Sequence, residues 1–190
     1  MMAIVMAGGK ASRFRGHVEK AVLEIRGRTL LERSLEALRE GGADEILVAV
    51  TDRTPKTVDL AKRLGARVIR TRGLSYHEDV TELLETCPRF VSLNVDVPFI
   101  SGRHVDELMK ESRSGSAAAV IPASISMVEP DEDVVLVDSR GREMLWVGLN
   151  IVTAEPETAL KGFEDPLLSI NVNNEEDLAF ARRIAEERAL

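Results

Sequence analysis

Apolar positions along the chain keep two alternating rhythms. Short apolar-rich runs at 3–6, 45–50, 67–70, 90–95 and 117–121 predict strands, most of them buried on both faces. Between them, stretches at 29–40, 55–64, 76–85 and 104–112 carry the helical period. The first places Leu30, Leu31, Leu35 and Leu38 on one face and stops at Gly41-Gly42; Pro55 opens the second and Gly65 closes it. Strand and helix in turn predict an α/β fold, a three-layer α/β/α arrangement on a doubly wound, mostly parallel sheet. After residue 121 the rhythm changes. Runs at 134–137 and 144–152, joined by a turn at Ser139-Arg140-Gly141, predict a small mixed or antiparallel extension. A last short strand is expected at 168–172. A final helix is expected at 174–188, with an Asn cap and Glu175, Glu176 and Asp177 in its first turn. No linker, repeat or low-complexity tract interrupts the pattern, so 1–190 reads as a single domain.

Composition narrows the picture. Of 190 residues, 44% are hydrophobic and 30% charged, enough for a real core. The formal net charge of −7 argues against a large nucleic-acid footprint, which requires a basic face. The single cysteine, Cys87, excludes an intrachain disulfide, and its position before Pro88 and a strand fits a buried structural thiol. The N-terminal apolar run is too short for a signal peptide, and no run approaches transmembrane length. The expectation is a cytoplasmic protein without a membrane span. His17, His77 and His104 lie far apart and suggest no metal site. A homodimer is expected from base rates alone.

The strongest chemical signal lies between Ile4 and Lys20. A short apolar strand runs into Ala7-Gly8-Gly9-Lys10, then into a loop carrying Arg13 and Lys20. Backbone that must lie against phosphates needs residues without bulky side chains, and a triphosphate needs several cations at graded distances. The loop is not a P-loop, because Ala11 follows Gly9-Lys10 and the G-x-x-x-x-G-K spacing is absent. Nor does it carry G-x-G-x-x-G opening directly into a helix. The plain alternative is a surface loop with solvated Lys and Arg.

Met6-Ala7-Gly8-Gly9-Lys10, followed by Arg13-Phe14, Gly16 and Glu19-Lys20, resembles the signature loop of the nucleotidyltransferases. These include sugar-nucleotide pyrophosphorylases, molybdenum-cofactor guanylyltransferases and archaeal adenosylcobinamide-phosphate guanylyltransferases. The resemblance implies that Ala7, Gly8 and Gly9 contact the nucleotide. It implies that Lys10 and Arg13 bind the β and γ phosphates and that Lys20 meets the α phosphate.

A second constellation, Leu93-Asn94-Val95-Asp96-Val97-Pro98, follows a strand and so lies at the carboxyl edge of the sheet, where ligands bind in such folds. It matches the family's Asp-x-Pro motif, whose Asp binds the metal. Asp96 is thus the expected Mg²⁺ ligand, consistent with an ion that takes one or two carboxylates plus substrate phosphates. The plain alternative for Asp96 is a turn or helix cap before Pro98. With Arg13 and Lys20, Asp96 completes the expected catalytic set. Near the C-terminus, Ser169-Ile170-Asn171-Val172-Asn173 corresponds to a family segment written Asp-x-Asp or Asn-x-Asn. Neutral amides hold Mg²⁺ weakly, which puts a second carboxylate ligand in doubt. Asn171 is expected to contact substrate, and Asn173 or Asn174 to cap the last helix.

Thr51, Thr71 and Gly73 sit in the loops after the second and third strands, which in this family border the base. Thr54-Pro55-Lys56-Thr57, then Gly73, Tyr76, Glu78 and Asp79, then Val147-Gly148-Leu149-Asn150 resemble the archaeal cobinamide enzymes in order, over nearly the whole chain. Gly148 and Asn150 are accordingly expected on the acceptor side. Helix capping at Thr54 and strand packing at 147–152 are the plain alternatives. Trp146 could cover a large apolar ligand such as a corrin, though a lone Trp is more often core. Ala11 stands where relatives favour Gly, and Ala21 where they favour Pro. Together these features imply GMP transfer from GTP to adenosylcobinamide phosphate, with Mg²⁺, as in cobalamin biosynthesis. Transfer to molybdopterin or a sugar phosphate stays open, as does a non-catalytic nucleotide-binding module.

Overall fold

A computed structural model describes residues 1–9, 11, 13–111, 115–130 and 134–190. In chain order the strands are β1 (Met2–Met6), β2 (Glu24–Ile25), β3 (Arg28–Thr29), β4 (Glu45–Val50), β5 (Arg67–Arg70), β6 (Arg89–Asn94), β7 (Ser116–Pro122), β8 (Val135–Val137), β9 (Glu143–Thr153) and β10 (Thr158–Gly162). The helices are α1 (Leu30–Glu40), α2 (Pro55–Arg63), α3 (Tyr76–Thr86), α4 (Gly102–Glu111) and α5 (Glu175–Glu187).

Among the described residues one sheet runs in the order β10-β7-β9-β6-β1-β4-β5, with β8 beside β9, and β2-β3 form a separate short hairpin. β1 lies between β4 and β6, parallel to both, and Ala3, Ile4 and Val5 are fully buried there. β9 runs antiparallel to β6, β7 and β8. The sheet is therefore parallel at its centre with one reversed strand, as the change of rhythm after residue 121 predicts.

The alternation along β1, β4 and β6 splits the core in two. Val5, Val48 and Leu93 join a large cluster with Leu31 and Leu35 of α1, Leu60 of α2, Leu108 of α4 and Ile184 of α5. Ile4, Leu47, Ala49 and Phe90 face the other way and meet Leu83 of α3. Three layers result, but among the described residues α3 is the one helix on its face. The part of that face over β7 and β9, beside α3, is left as an open cleft.

Helix ends follow local chemistry. A capping box joins Thr29 and Glu32 at α1, with Glu32 N donating to Thr29 Oγ1 at 3.1 Å and Thr29 N to Glu32 Oε2 at 2.7 Å. Asn174 and Asp177 form a second one at α5. Thr54 does not cap α2: its hydroxyl turns back to Thr51.

Three expectations are corrected. Residues 168–172 are not a strand: Pro166–Ser169 form a 3₁₀ turn started by Asp165, which accepts from Leu167 N. The apolar run there is buried by that turn and the segment after it, not by a ladder. The edge strand β10 and the β2-β3 hairpin are additions to the expected elements. The fourth helix begins at Gly102, not at 104, and its expected end at Ser112 lies outside the described residues.

Candidate active site

β1, β4 and β6 deliver their carboxyl ends to one edge of the sheet, and the loops there meet at Lys20. Its ammonium donates to Asp96 Oδ2 at 2.7 Å and to Asn173 Oδ1 at 2.7 Å. The Lys20 and Asp96 side chains are only 16% and 21% exposed, so this is a sheltered charge-assisted contact. The plain alternative of a solvated surface Lys therefore does not describe Lys20. Asn173 is aimed by its backbone: its N–H donates to Asp177 Oδ2 at 2.8 Å, inside the cap of α5. Val172 N donates to Asp96 O at 2.8 Å and ties the two loops together.

Two concavities open from this point. One, of about 330 Å³, is lined by Gly8, Gly9, Arg53, Gly73, Leu74 and Asp79. The other is the open cleft beside α3, about 620 Å³, lined by Arg13, Trp146, Gly148, Asn150, Asn171 and Asn173 among others. Tyr76, Asn94 and Asp96 line both.

The smaller cavity depends on its glycines. A Cβ on Gly8 would lie 2.7 Å from Thr51 Cγ2, and one on Gly73 would lie 2.5 Å from the same methyl. Thr51 is buried between them, and its hydroxyl donates to Gly8 O at 3.2 Å. Gly73 is further held by its N–H on Asp79 Oδ1 at 2.8 Å, and its carbonyl accepts from Arg53 Nη2 at 2.5 Å. Thr51 and Thr71 therefore stand behind the cavity wall rather than in it. Thr71, just after β5, has a buried hydroxyl with no hydrogen-bond partner among the described residues.

The larger cleft is shaped by a break in β9. Asn150 pairs with Ala118, and Trp146 with Val120, so three residues of β9 oppose one of β7. Gly148 sits in that bulge at φ 87, and a Cβ there would press on Asn94 and Val97 at 3.0–3.2 Å. The bulge turns Trp146 into the cleft wall, 36% exposed, so it is not a core residue. Across the cleft Tyr76 keeps its ring half-exposed while its hydroxyl meets buried Ser92 Oγ at 3.1 Å. Burial raises the phenol above its ordinary range; bonds to Ser92 and Asn150 oppose that.

The other expected residues fall as follows. Ala7 is buried at the end of β1 with its N–H on Ala49 O at 2.9 Å. Arg13 is exposed and borders the cleft. Lys10 lies outside the described residues. Asn174, not Asn173, caps α5. Glu19, Arg53, Asp79 and Asp177 support the site through contacts for which the sequence pattern assigned them no role.

Asp96 offers one accessible carboxylate, Asn173 an amide oxygen on the same ammonium, and Asn94 a buried Oδ1 with no hydrogen-bond partner among the described residues. One carboxylate among neutral oxygens fits Mg²⁺, which draws its remaining ligands from phosphate and water. Among the described residues no group of three or more His, Cys, Asp or Glu could hold a metal on its own.

A glycine-walled cavity and a wider cleft that share one carboxylate at the carboxyl edge of an α/β sheet define a nucleotidyltransferase domain. The description of the MobA-like NTP transferase domain matches residues 3–147, and the chain belongs to that family. It is 24% identical to the adenosylcobinamide-phosphate guanylyltransferase of Methanocaldococcus jannaschii, covering 100% of both chains. It is 29% identical over 139 residues to the 2-C-methyl-D-erythritol 4-phosphate cytidylyltransferase of Thermotoga neapolitana, a match spanning 69% of this chain and 63% of that relative's length. Its fold superposes on CMP:2-keto-3-deoxy-manno-octonic acid synthetase complexed with CTP, with a TM-score of 0.70 at 17% identity, covering 98% and 99% of the two chains. No helix among the described residues is long and apolar enough to cross a membrane.

Proposed function

We propose that the protein transfers GMP from GTP to adenosylcobinamide phosphate, releasing pyrophosphate, with Mg²⁺ held at Asp96. The observation that carries transfer is the pair of cavities meeting at Asp96: one suits the nucleotide, the other an acceptor. The full-length match to the Methanocaldococcus guanylyltransferase supports the choice of base and acceptor.

In this reading GTP lies along Gly8 and Gly9, with its base beside Gly73. The acceptor's phosphate is already an anion, so no general base is needed. One of its oxygens forms a bond to the α phosphorus in line. The bond from that phosphorus to the bridging α–β oxygen breaks, and pyrophosphate leaves with the electron pair. Lys20 holds the α phosphate and offsets its charge. The resemblance gives the β and γ phosphates to Lys10 and Arg13; Arg13 borders the wider cleft, so it reaches the triphosphate from the acceptor side. Mg²⁺, when bound, neutralises the triphosphate and orients it. Asn171, Asn150 and Gly148 face the acceptor, and Trp146 covers its apolar part. The rest is positioning in a sheltered site.

Pyrophosphate release measured with each of the four nucleoside triphosphates, with and without adenosylcobinamide phosphate, tests this. Release only with GTP plus that acceptor is expected. Release with a sugar phosphate or molybdopterin, and none with the cobinamide, would replace the acceptor. No release with any pair would leave a nucleotide-binding module.

A further inference from the structure

The end of the glycine loop is tied down by a residue with no contact to either cavity. Glu19 is 9% exposed, and its carboxylate takes three hydrogen bonds from the first turn of α2. Lys56 N reaches Oε1 at 3.0 Å; Thr57 N and Thr57 Oγ1 reach Oε2 at 2.7 and 2.8 Å. A buried carboxylate on free N–H groups at a helix N-terminus is strongly held. α2 needs it, because Thr54 turns its hydroxyl to Thr51 and leaves the turn without its own side-chain cap.

Glu19 is extended, at φ −102 and ψ 111, just before a 3₁₀ turn that Lys20 opens, and the two side chains reach different partners, Thr57 and Asp96. Topology gives this a consequence. β1 lies between β4 and β6 in the sheet. Glu19 hooks onto α2, which follows β4, while Lys20 reaches Asp96, which follows β6. Two adjacent residues thus fasten the returning loop to both neighbours of β1. Among the described residues the loop is also held by Thr51 Oγ1 on Gly8 O, by the exposed Arg15 N on Glu175 Oε1 at 2.9 Å, and by the burial of Phe14 and Ala21, but none of these fixes the Lys20 side chain from the β4 side.

We infer that Glu19 is a positioning residue that sets the reach of Lys20 toward the transferred phosphate, through the N-terminus of α2. This rests on the reading of Lys20 given above. Without the hook, the backbone at residue 19 swings on the β4 side and the ammonium loses its fixed place. Nucleotide binding, spread over the glycines and other cations, changes far less.

The test is steady-state kinetics of Glu19→Ala, Glu19→Gln, Lys20→Ala and the Glu19→Ala/Lys20→Ala pair, with the nucleotide and acceptor identified by the four-nucleotide assay. Circular dichroism and the thermal midpoint are followed alongside. Glu19→Ala should lower kcat by about 10- to 100-fold, with KM for the nucleotide within about threefold. Glu19→Gln keeps the size of the side chain and one acceptor oxygen; it should stay folded and fall in between. On the Lys20→Ala background, Glu19→Ala should cost less than about twofold more, because both changes act through one group. A kcat for Glu19→Gln and Glu19→Ala near wild type, beside an impaired Lys20→Ala, overturns the inference alone. So does an equal loss on both backgrounds. A wild-type kcat for Lys20→Ala overturns the functional reading of Lys20, and this inference with it. If Glu19→Ala does not fold, Glu19→Gln alone and on the Lys20→Ala background decides by the same criteria.

Discussion

Ala11 sits at φ 43, in the left-handed region where a Cβ costs about 1–2 kcal/mol. A glycine would take the same conformation without that cost. Ala11→Gly should leave the thermal midpoint unchanged or raised, against the usual loss of about 0.5–1 kcal/mol for Ala→Gly in regular structure. A lower midpoint would contradict the assigned backbone. Gly148 is the converse case. At φ 87 beside Asn94 and Val97, Gly148→Ala should cost at least about 1–2 kcal/mol in denaturant unfolding and should weaken acceptor binding more than nucleotide binding. Lys20→Ala should cut turnover on the order of 10²–10³-fold. It should also cost about 1–2 kcal/mol, because it removes one partner of a sheltered pair. At this scale Asp96 and Lys20 were legible because both lie in short motifs. Glu19 was not: its partners are 37 and 38 residues away, and a Glu before a Lys looks like a solvated pair.

Elements were legible where burial repeats along the chain. β1, β4 and β6 are covered on both faces, and α1 keeps one apolar face, so period and burial coincide. β10 was hidden because it is an edge strand whose residues are mostly exposed; no alternation marks it. Residues 168–172 failed for the opposite reason: Leu168, Ile170 and Val172 are buried, but by a turn. The start of α4 carries a pH dependence. His104 accepts the Ser101 N–H at Nδ1, 3.1 Å, which leaves its proton on Nε2 facing Asp165 Oδ2 at 3.4 Å. Burial lowers its pKa; Asp165 and Glu107 oppose, and Arg103 adds to the lowering. The unfolded chain then binds this proton more readily than the folded one. The stability of the neutral ring is complete above the ordinary value of about 6.5 and declines as pH falls from there toward the folded value. The thermal midpoint should drop as pH falls below about 6.5 in the wild type, and less so in His104→Gln. Equal slopes would remove His104 from the account. Cys87 is the inert counterpart: buried, its Sγ 3.0 Å from Met2 Sδ, its thiol pushed up by burial.

On the scale of the molecule, function follows from an uneven third layer. α1, α2, α4 and α5 close one face of the sheet, while α3 closes only part of the other. The uncovered face over β7 and β9 is the wider cleft, proposed above for the acceptor, and the bulge at Gly148 bends its wall. Gly148, Asn150, Asn171 and Trp146 of its lining were named from the resemblance, but the shape of the cleft was not legible, because it is made by what is absent from one face among the described residues. The nucleotide side was visible because its backbone demands glycines at fixed places. Base and acceptor are therefore the least local part of the account, and one measurement addresses them most directly. Pyrophosphate release should require GTP and adenosylcobinamide phosphate together and be lost in Asp96→Asn. Release at equal rates from CTP, or with GTP only when a sugar phosphate replaces the cobinamide, would contradict it.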